Sequence, residues 1–251
     1  MNQFKLDNER ALITGGGSGI GRAIAESFIE AGAEVVITGR RAELLEETCS
    51  ELGAKSAYYV SDVADYDANA KLLERIENEL GPISILVNNA GVHQKKDALE
   101  TSEEEFEQLM SVHVTGAFSL ARHAAKGMIE RGHGSILFIA SMSSFMAIPS
   151  IVSYSSAKTA VLGTMRALAA EWSAQGVRVN AIAPGWIETA MSRKALNNAP
   201  DRKRKILERT PMNRLGQVEE IGTAATFLCS PAAGFITGAC LPVDGGASVG
   251  F

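Results

Sequence analysis

Cysteine is scarce in this chain: three among 251 residues, Cys49, Cys229 and Cys240. They are odd in number, far apart and in no metal-ligand spacing. That excludes a disulfide framework and a cysteine-based metal site, and it fits a reduced, cytoplasmic setting. Positive charge is also in deficit, with 24 Lys and Arg against 29 Asp and Glu, so no general nucleic-acid partner is expected. No run reaches 18 uninterrupted apolar residues, and the opening MNQFKLDNER has no apolar signal core, so no membrane partner is expected either. Aromatics contribute only 6% of the chain, yet hydrophobic residues reach 46%. A length of 251 residues with that content suits one large α/β domain.

Residues 10 to 38 read as strand, glycine turn, helix, strand. Ala11, Leu12 and Ile13 form a short strand, TGGGSGIG follows, and Ile20, Ile24 and Phe28 then recur every four residues until Gly32. A helix N-terminus placed beside such a turn offers free N–H groups and a positive dipole end. Gly15, Gly19 and Gly21 would let the backbone approach a pyrophosphate with no Cβ in the way. After the second strand come Thr38, Gly39, Arg40 and Arg41. An acid there would bond ribose hydroxyls, whereas guanidiniums suit a 2′-phosphate, so NADP is favoured and NAD is the alternative. The same two arginines would equally serve as the solvated start of the next helix.

Alternation continues without a break. Helices are expected near 42 to 52 and 66 to 80, with strands near 57 to 60 and 85 to 87. The last of these runs into Asn88, Asn89, Ala90 and Gly91, an amide-rich turn at a sheet edge. A long helical stretch is expected from Ser102 to Arg131, opened by a capping box of Ser102 and Glu105. A strand at 135 to 140, a helix carrying Tyr154 through to Trp172, a strand at 177 to 183 closed by Pro184-Gly185, and a strand at 239 to 243 complete the chain. Strands and helices alternating with no hairpin signals predict a mostly parallel sheet covered on both faces.

Within this frame Ser141, Tyr154 and Lys158 read as S-x12-Y-x3-K. Tyr154 and Lys158, four apart on a helix, share a face, so the ammonium is expected to lower the phenol pKa toward the range of a general acid or base. Ser141 stands where a buried strand stops, the usual place for active groups in open α/β sheets.

TG-x3-G-x-G (Thr14 to Gly21), NNAG (88 to 91), S-x12-Y-x3-K and the proline-glycine after VNAIA together resemble the short-chain dehydrogenase/reductase family, over essentially the whole chain out to VDGG (243 to 246). The resemblance implies an α/β fold of Rossmann type, a doubly wound parallel sheet in a single domain (1-251), with a substrate lid near 186 to 215. It implies a catalytic serine, tyrosine and lysine at Ser141, Tyr154 and Lys158, and a dinucleotide lying along Gly15, Gly17, Ser18, Gly19, Ile20 and Gly21. Further cofactor contacts are implied at Arg40, Arg41, Asp62, Val63, Asn89, Ala90, Gly91, Tyr154, Lys158, Pro184, Gly185, Ile187 and Thr189. No metal is implied. A homotetramer is.

One position departs from the family. The context V-N-x-x-G-x-F reads here Val112, His113, Val114, Thr115, Gly116, Ala117, Phe118, so His113 stands where a fourth catalytic residue, an asparagine that holds a relay water, is expected. A neutral imidazole also has one donor and one acceptor. A substitute relay, a core histidine and a crippled catalyst all fit the sequence.

Basic groups near the mouth, His93, Lys95 and Lys96, point to an anionic or polyhydroxylated small-molecule substrate. Met142 and Trp186 would touch it as well. The lid adds a second set of basic groups that would attract an anion, Arg193, Lys194, Arg202, Lys203, Arg204, Lys205, Arg209 and Arg214, of which Arg202 to Lys205 read more simply as a solvated helix face. Motif detail is similar to sugar-acid members of the gluconate 5-dehydrogenase and 2-dehydro-3-deoxygluconate 5-dehydrogenase type. A 3-oxoacyl-thioester reductase and a non-catalytic cofactor-binding regulator are the alternatives.

Overall fold

The computed structural model describes residues 3–189, 192–193, 196 and 200–250. Seven strands form one sheet: β1 (Arg10–Thr14), β2 (Glu34–Gly39), β3 (Ser56–Val60), β4 (Ile85–Asn88), β5 (Gly134–Ile139), β6 (Val177–Pro184) and, after a two-stranded ribbon, β9 (Cys240–Val243). Their order is β3-β2-β1-β4-β5-β6-β9, with every pairing parallel. The order reverses between β1 and β4, which leaves a crevice at their carboxyl ends.

The apolar runs of the strands alternate between two cores. Leu12, Leu86, Ile136 and Phe138 face one side, packed by α3 (Tyr66–Leu80), α5 (Ala117–Arg131) and α6 (Val152–Trp172). Ile13, Val87, Leu137 and Ile139 face the other, packed by α1 (Gly19–Glu30), α2 (Ala42–Leu52) and a helix near the C-terminus. Burial on both faces is why these strands read as continuous Val/Ile/Leu rather than alternating with polar residues.

The long stretch expected from 102 to 131 differs in its middle. α4 (Glu103–Met110) begins with the anticipated capping box of Ser102 and Glu105, and α5 ends at Arg131, but Ser111–Gly116 between them winds as a wider π-helix. Gly116 tolerates no Cβ there because the carbonyl of Val63 lies against it. Inserted turns of this kind put an extra residue into a helix and re-aim its side chains. His113 sits in this turn.

Beyond β6 the chain makes β7 (Ile187–Glu188), α7 (Pro200–Arg209), β8 (Gly216–Gln217) and α8 (Val218–Cys229), with β7 paired to β8. Lys194, one of the basic residues expected on the lid, lies outside the described residues. Among the described residues no helix is long and apolar enough to cross a membrane.

Candidate active site

The glycine turn is built around Asn89. Its side-chain amide donates to the carbonyl oxygens of Thr14 and Gly15, at 2.9 and 3.2 Å. In return the Thr14 hydroxyl accepts from the backbone N–H of Asn89 and of Ala90, each at 3.0 Å. Carbon at Gly15 or Gly21 would collide with that amide. Asn89, read from the sequence as a cofactor contact, is also a strut beneath the turn. Gly19, at φ 54°, opens α1 in the left-handed region that favours glycine. Ser18 occupies the N-cap without a side-chain capping bond, and no acid lies in the first turn. The first N–H groups of α1 are left without side-chain acceptors, and this donor set fits a pyrophosphate.

Arg40 and Arg41 are exposed at the carboxyl end of β2. Arg40 approaches Asp62 at 3.7 Å with both side chains largely in solvent, a pairing of small worth that leaves the guanidinium available to a stronger anion. Val63 is buried, whereas Asp62 is partly exposed beside Arg40. At the far side Gly185 donates to Val243 and packs on Asp244, Pro184 and Ile187 are buried, and Thr189 bonds Ser192 while its methyl would meet a Cβ placed on Gly19.

Ser141 follows β5 in extended conformation, and its oxygen accepts from the Ser143 N–H at 3.1 Å. Its hydroxyl is left to the phenol of Tyr154, whose ionisation that bond favours. Lys158, one turn further along α6, donates to the carbonyl of Ile139 at 2.5 Å and lies 5.7 Å from the Tyr154 ring centre. The S-x12-Y-x3-K spacing does gather these side chains. The electrostatics differ from expectation: the Tyr154 pKa is raised, because burial outweighs the bond from Ser141. Lys158, 5% exposed, is itself pushed down to about 7 by burial. A lysine whose charge is disfavoured by burial, and that gives one N–H to a carbonyl, draws the phenol down less than a solvated ammonium would.

His113 is 4% exposed and is driven to a pKa of about 3, by burial first and by the charge of Lys158 second. Its Nε2 lies 2.7 Å from the carbonyl oxygen of Val92 and 3.3 Å from the Val92 nitrogen. Gly91 exists to admit the ring, since a Cβ there would overlap the imidazole. Gly91, read as a cofactor contact, also makes room for His113. The opposite nitrogen, Nδ1, is buried with no partner, as are both amide atoms of Asn88. A cavity of about 10 Å³ is lined by His113, Asn88 and Lys158 together with Val63 and Ala90, which is about the room one water needs.

At the mouth, the His93 ring stands 5.0 Å from the Tyr154 ring. Lys95 is exposed, but Lys96 is held by both oxygens of Glu105, at 2.8 and 2.9 Å. The anion-binding part expected of Lys96 is taken up by the same carboxylate that caps α4. Met142 is buried. Arg202, grouped by its sequence neighbours with a solvated face, instead lies over the Trp186 ring at 5.6 Å. No sequence signal separates it from Lys203 and Lys205, because the contact joins residues that are far apart in the chain. Trp186 also lines a cavity of about 320 Å³ with Met212, Arg214 and Asp244.

Known proteins place this geometry in context. A family profile described as enoyl-(acyl carrier protein) reductase matches residues 15–248. Galactitol 2-dehydrogenase (L-tagatose-forming) of Cereibacter sphaeroides is 43% identical over 98% of this chain and 97% of its own. Gluconate 5-dehydrogenase of Gluconobacter oxydans is 39% identical over the same shares. The crystal structure of a gluconate 5-dehydrogenase from Burkholderia cenocepacia, in complex with NADP and tartrate, superposes with a TM-score of 0.94 at 36% identity, covering 100% of this chain and 99% of that one.

Proposed function

The chain belongs to the short-chain dehydrogenase/reductase family, and from that membership we propose that it moves a hydride between NADP and a secondary alcohol or ketone of a sugar acid or polyol. When bound, the nicotinamide supplies or accepts the hydride. The residues of the chain do the rest. Ser141 donates a hydrogen bond to the substrate oxygen and holds it beside the phenol of Tyr154. Tyr154 gives its proton to that oxygen as the carbonyl is reduced, or takes it as the alcohol is oxidised. A phenol with a raised pKa starts in the protonated form, which suits the reductive direction at neutral pH. Lys158 and the cavity beside it would return the proton. The glycine turn and the first N–H groups of α1 would hold the pyrophosphate, and Arg40 with Arg41 the 2′-phosphate.

The observation that carries this reading is the meeting of Ser141 and Tyr154 at the carboxyl end of β5, next to the strand that delivers Asn89 to the glycine turn. The polyol and sugar-acid relatives favour a hydroxylated substrate over an acyl thioester. The same family reasoning supports a cytoplasmic homotetramer, for which β9 offers an unpaired sheet edge. The test is a panel following NADP(H) and NAD(H) at 340 nm with keto-sugar acids, polyols, simple ketones and oxoacyl thioesters. Turnover confined to thioesters, or absent throughout, would overturn the reading.

A further inference from the structure

We propose that Arg202 selects an acid: its guanidinium receives the substrate's carboxylate at the mouth of the cleft, with Lys95 as the second cation, and sugar acids are preferred over neutral polyols. This inference rests on the hydride-transfer reading above and narrows its substrate class.

Placement comes first. Arg202 lies in the first turn of α7, and its guanidinium carbon is 5.6 Å from the centre of the Trp186 ring, immediately after the Pro184-Gly185 that ends β6. Stacking on an aromatic face restrains the guanidinium plane while its N–H edges stay free. The restraint matters because an arginine already held in place loses less freedom when it captures a ligand.

Charge pairing comes second. Several nearby cations have carboxylate partners, Arg193 with Glu188, Arg204 with Glu208 and Asp201, Arg214 with Glu220 and Lys96 with Glu105, while Lys203, Lys205 and Arg209 are unpaired among the described residues but stand exposed on no aromatic ring. Neither Arg202 nor Lys95 has an ion-pair partner among the described residues. Both charges are felt at one place, the His93 imidazole, where they add to burial in lowering its pKa. That ring is 5.0 Å from the ring of Tyr154. An anion beside His93 would thus face Arg202 and Lys95 together while the rest of the molecule reached toward the phenol.

Chemistry comes third. Two unpaired cations focused at the mouth of a chain with net charge −5 form a local attractive field for an anion, and a planar guanidinium matches a carboxylate through two parallel N–H bonds. A neutral polyol gains little from either group.

The experiment uses the purified full chain with NADP, comparing Arg202→Met and Arg202→Lys with the unaltered protein. D-gluconate and galactitol, one charged and one neutral, serve as the probes. Binding is read by tryptophan fluorescence, to which Trp186 contributes, and turnover by NADPH formation. Loss of charge-assisted bonds predicts that Arg202→Met raises Kd and KM for gluconate about 30-fold with kcat changed less than about threefold. Galactitol kcat/KM should shift by less than about threefold, and Arg202→Lys should recover part of the gluconate loss. Unchanged gluconate binding, an equal loss on both probes, or a wild-type preference for galactitol would overturn the assignment. Arg202-dependent gluconate binding without oxidation of either probe would sink the hydride-transfer reading and leave this one standing.

Discussion

Nε2 of His113 lies 2.7 Å from the carbonyl oxygen of Val92, so the imidazole is a strap between the π-turn at 111–116 and the segment that follows β4. The bond assigns the tautomer. Nε2 carries the proton toward the carbonyl, Nδ1 is left as a bare acceptor, and the residue lines the small cavity shared with Lys158 and Asn88. With a pKa near 3 the ring stays neutral at any pH the protein meets in a cell. His113 therefore works as a fixed donor and acceptor, not as a proton carrier that charges and discharges.

An amide offers the same pair of functions. His113→Asn can bond the Val92 carbonyl through its NH₂ and keep its oxygen as the acceptor in place of Nδ1, and it should keep kcat within about fivefold. His113→Leu removes both functions, leaves the Val92 carbonyl without its donor, and should cost about 1–3 kcal/mol in stability. Urea unfolding beside steady-state kinetics checks this. Equal behaviour of the two variants would show that neither the bond to Val92 nor the acceptor matters.

Gly91 and His113 should be energetically coupled. A methyl on Gly91 overlaps the imidazole, so Gly91→Ala is expected to destabilise by about 1–3 kcal/mol as the ring is forced out. In the background of His113→Ala the same change should cost much less. The double-mutant cycle reads this directly. Additive losses would mean that the clash is relieved elsewhere.

Much of this site was legible in the chain because its parts are local. The glycine turn, the capping box of Ser102 and Glu105, and the Tyr154/Lys158 spacing each lie within one helix or one turn, where sequence distance is spatial distance. Contacts made across elements were not legible. Lys96 looks free until α4 brings Glu105 to it, and Arg202 is one of four consecutive cations until α7 lays it over Trp186. The π-turn was also hidden, since a wide turn and an α-turn draw on the same residue types and differ only in how Gly116 packs on Val63. The direction of the Tyr154 shift was misread for a related reason: proximity of a lysine is visible in a spacing, but the burial that strips its charge is not.

Tyr154→Phe should lower kcat by about 10²–10⁴, the range for losing a general acid. NADPH affinity should stay within about threefold, because no phosphate contact changes. Single-turnover kinetics and fluorescence titration of NADPH test the two halves. Near-native turnover would remove Tyr154 from the chemistry.

Arg40→Ala should raise Kd for NADPH about 10- to 100-fold and leave NADH within about twofold, since a guanidinium's charge-assisted bonds to a phosphate are worth about 1.5–3 kcal/mol. The ion pair with Asp62 is too exposed to mask the effect. Equal weakening of both nucleotides would place Arg40 on the shared part of the cofactor.

Lys158 gives the fold a pH dependence of predictable sign. Its pKa is lowered to about 7 in the folded chain, against about 10.4 for an unfolded lysine. Between those values the unfolded chain binds the proton and the folded chain does not, so this group's contribution makes stability rise with pH from about 7 to about 10. Cys229 and Cys240 act in the opposite sense. Burial raises both thiols to about 11, so they hold protons that the unfolded chain has released, and their contribution falls as pH climbs past about 8.5. The sum could look flat. Lys158→Met isolates the lysine, because the cysteines are common to both proteins: the unfolding free energy of wild type minus that of the variant should climb steadily between pH 7 and 10 in urea titrations. A constant difference would mean that the folded chain keeps this lysine charged, and the Ile139 carbonyl would then be holding a full ammonium in the cleft.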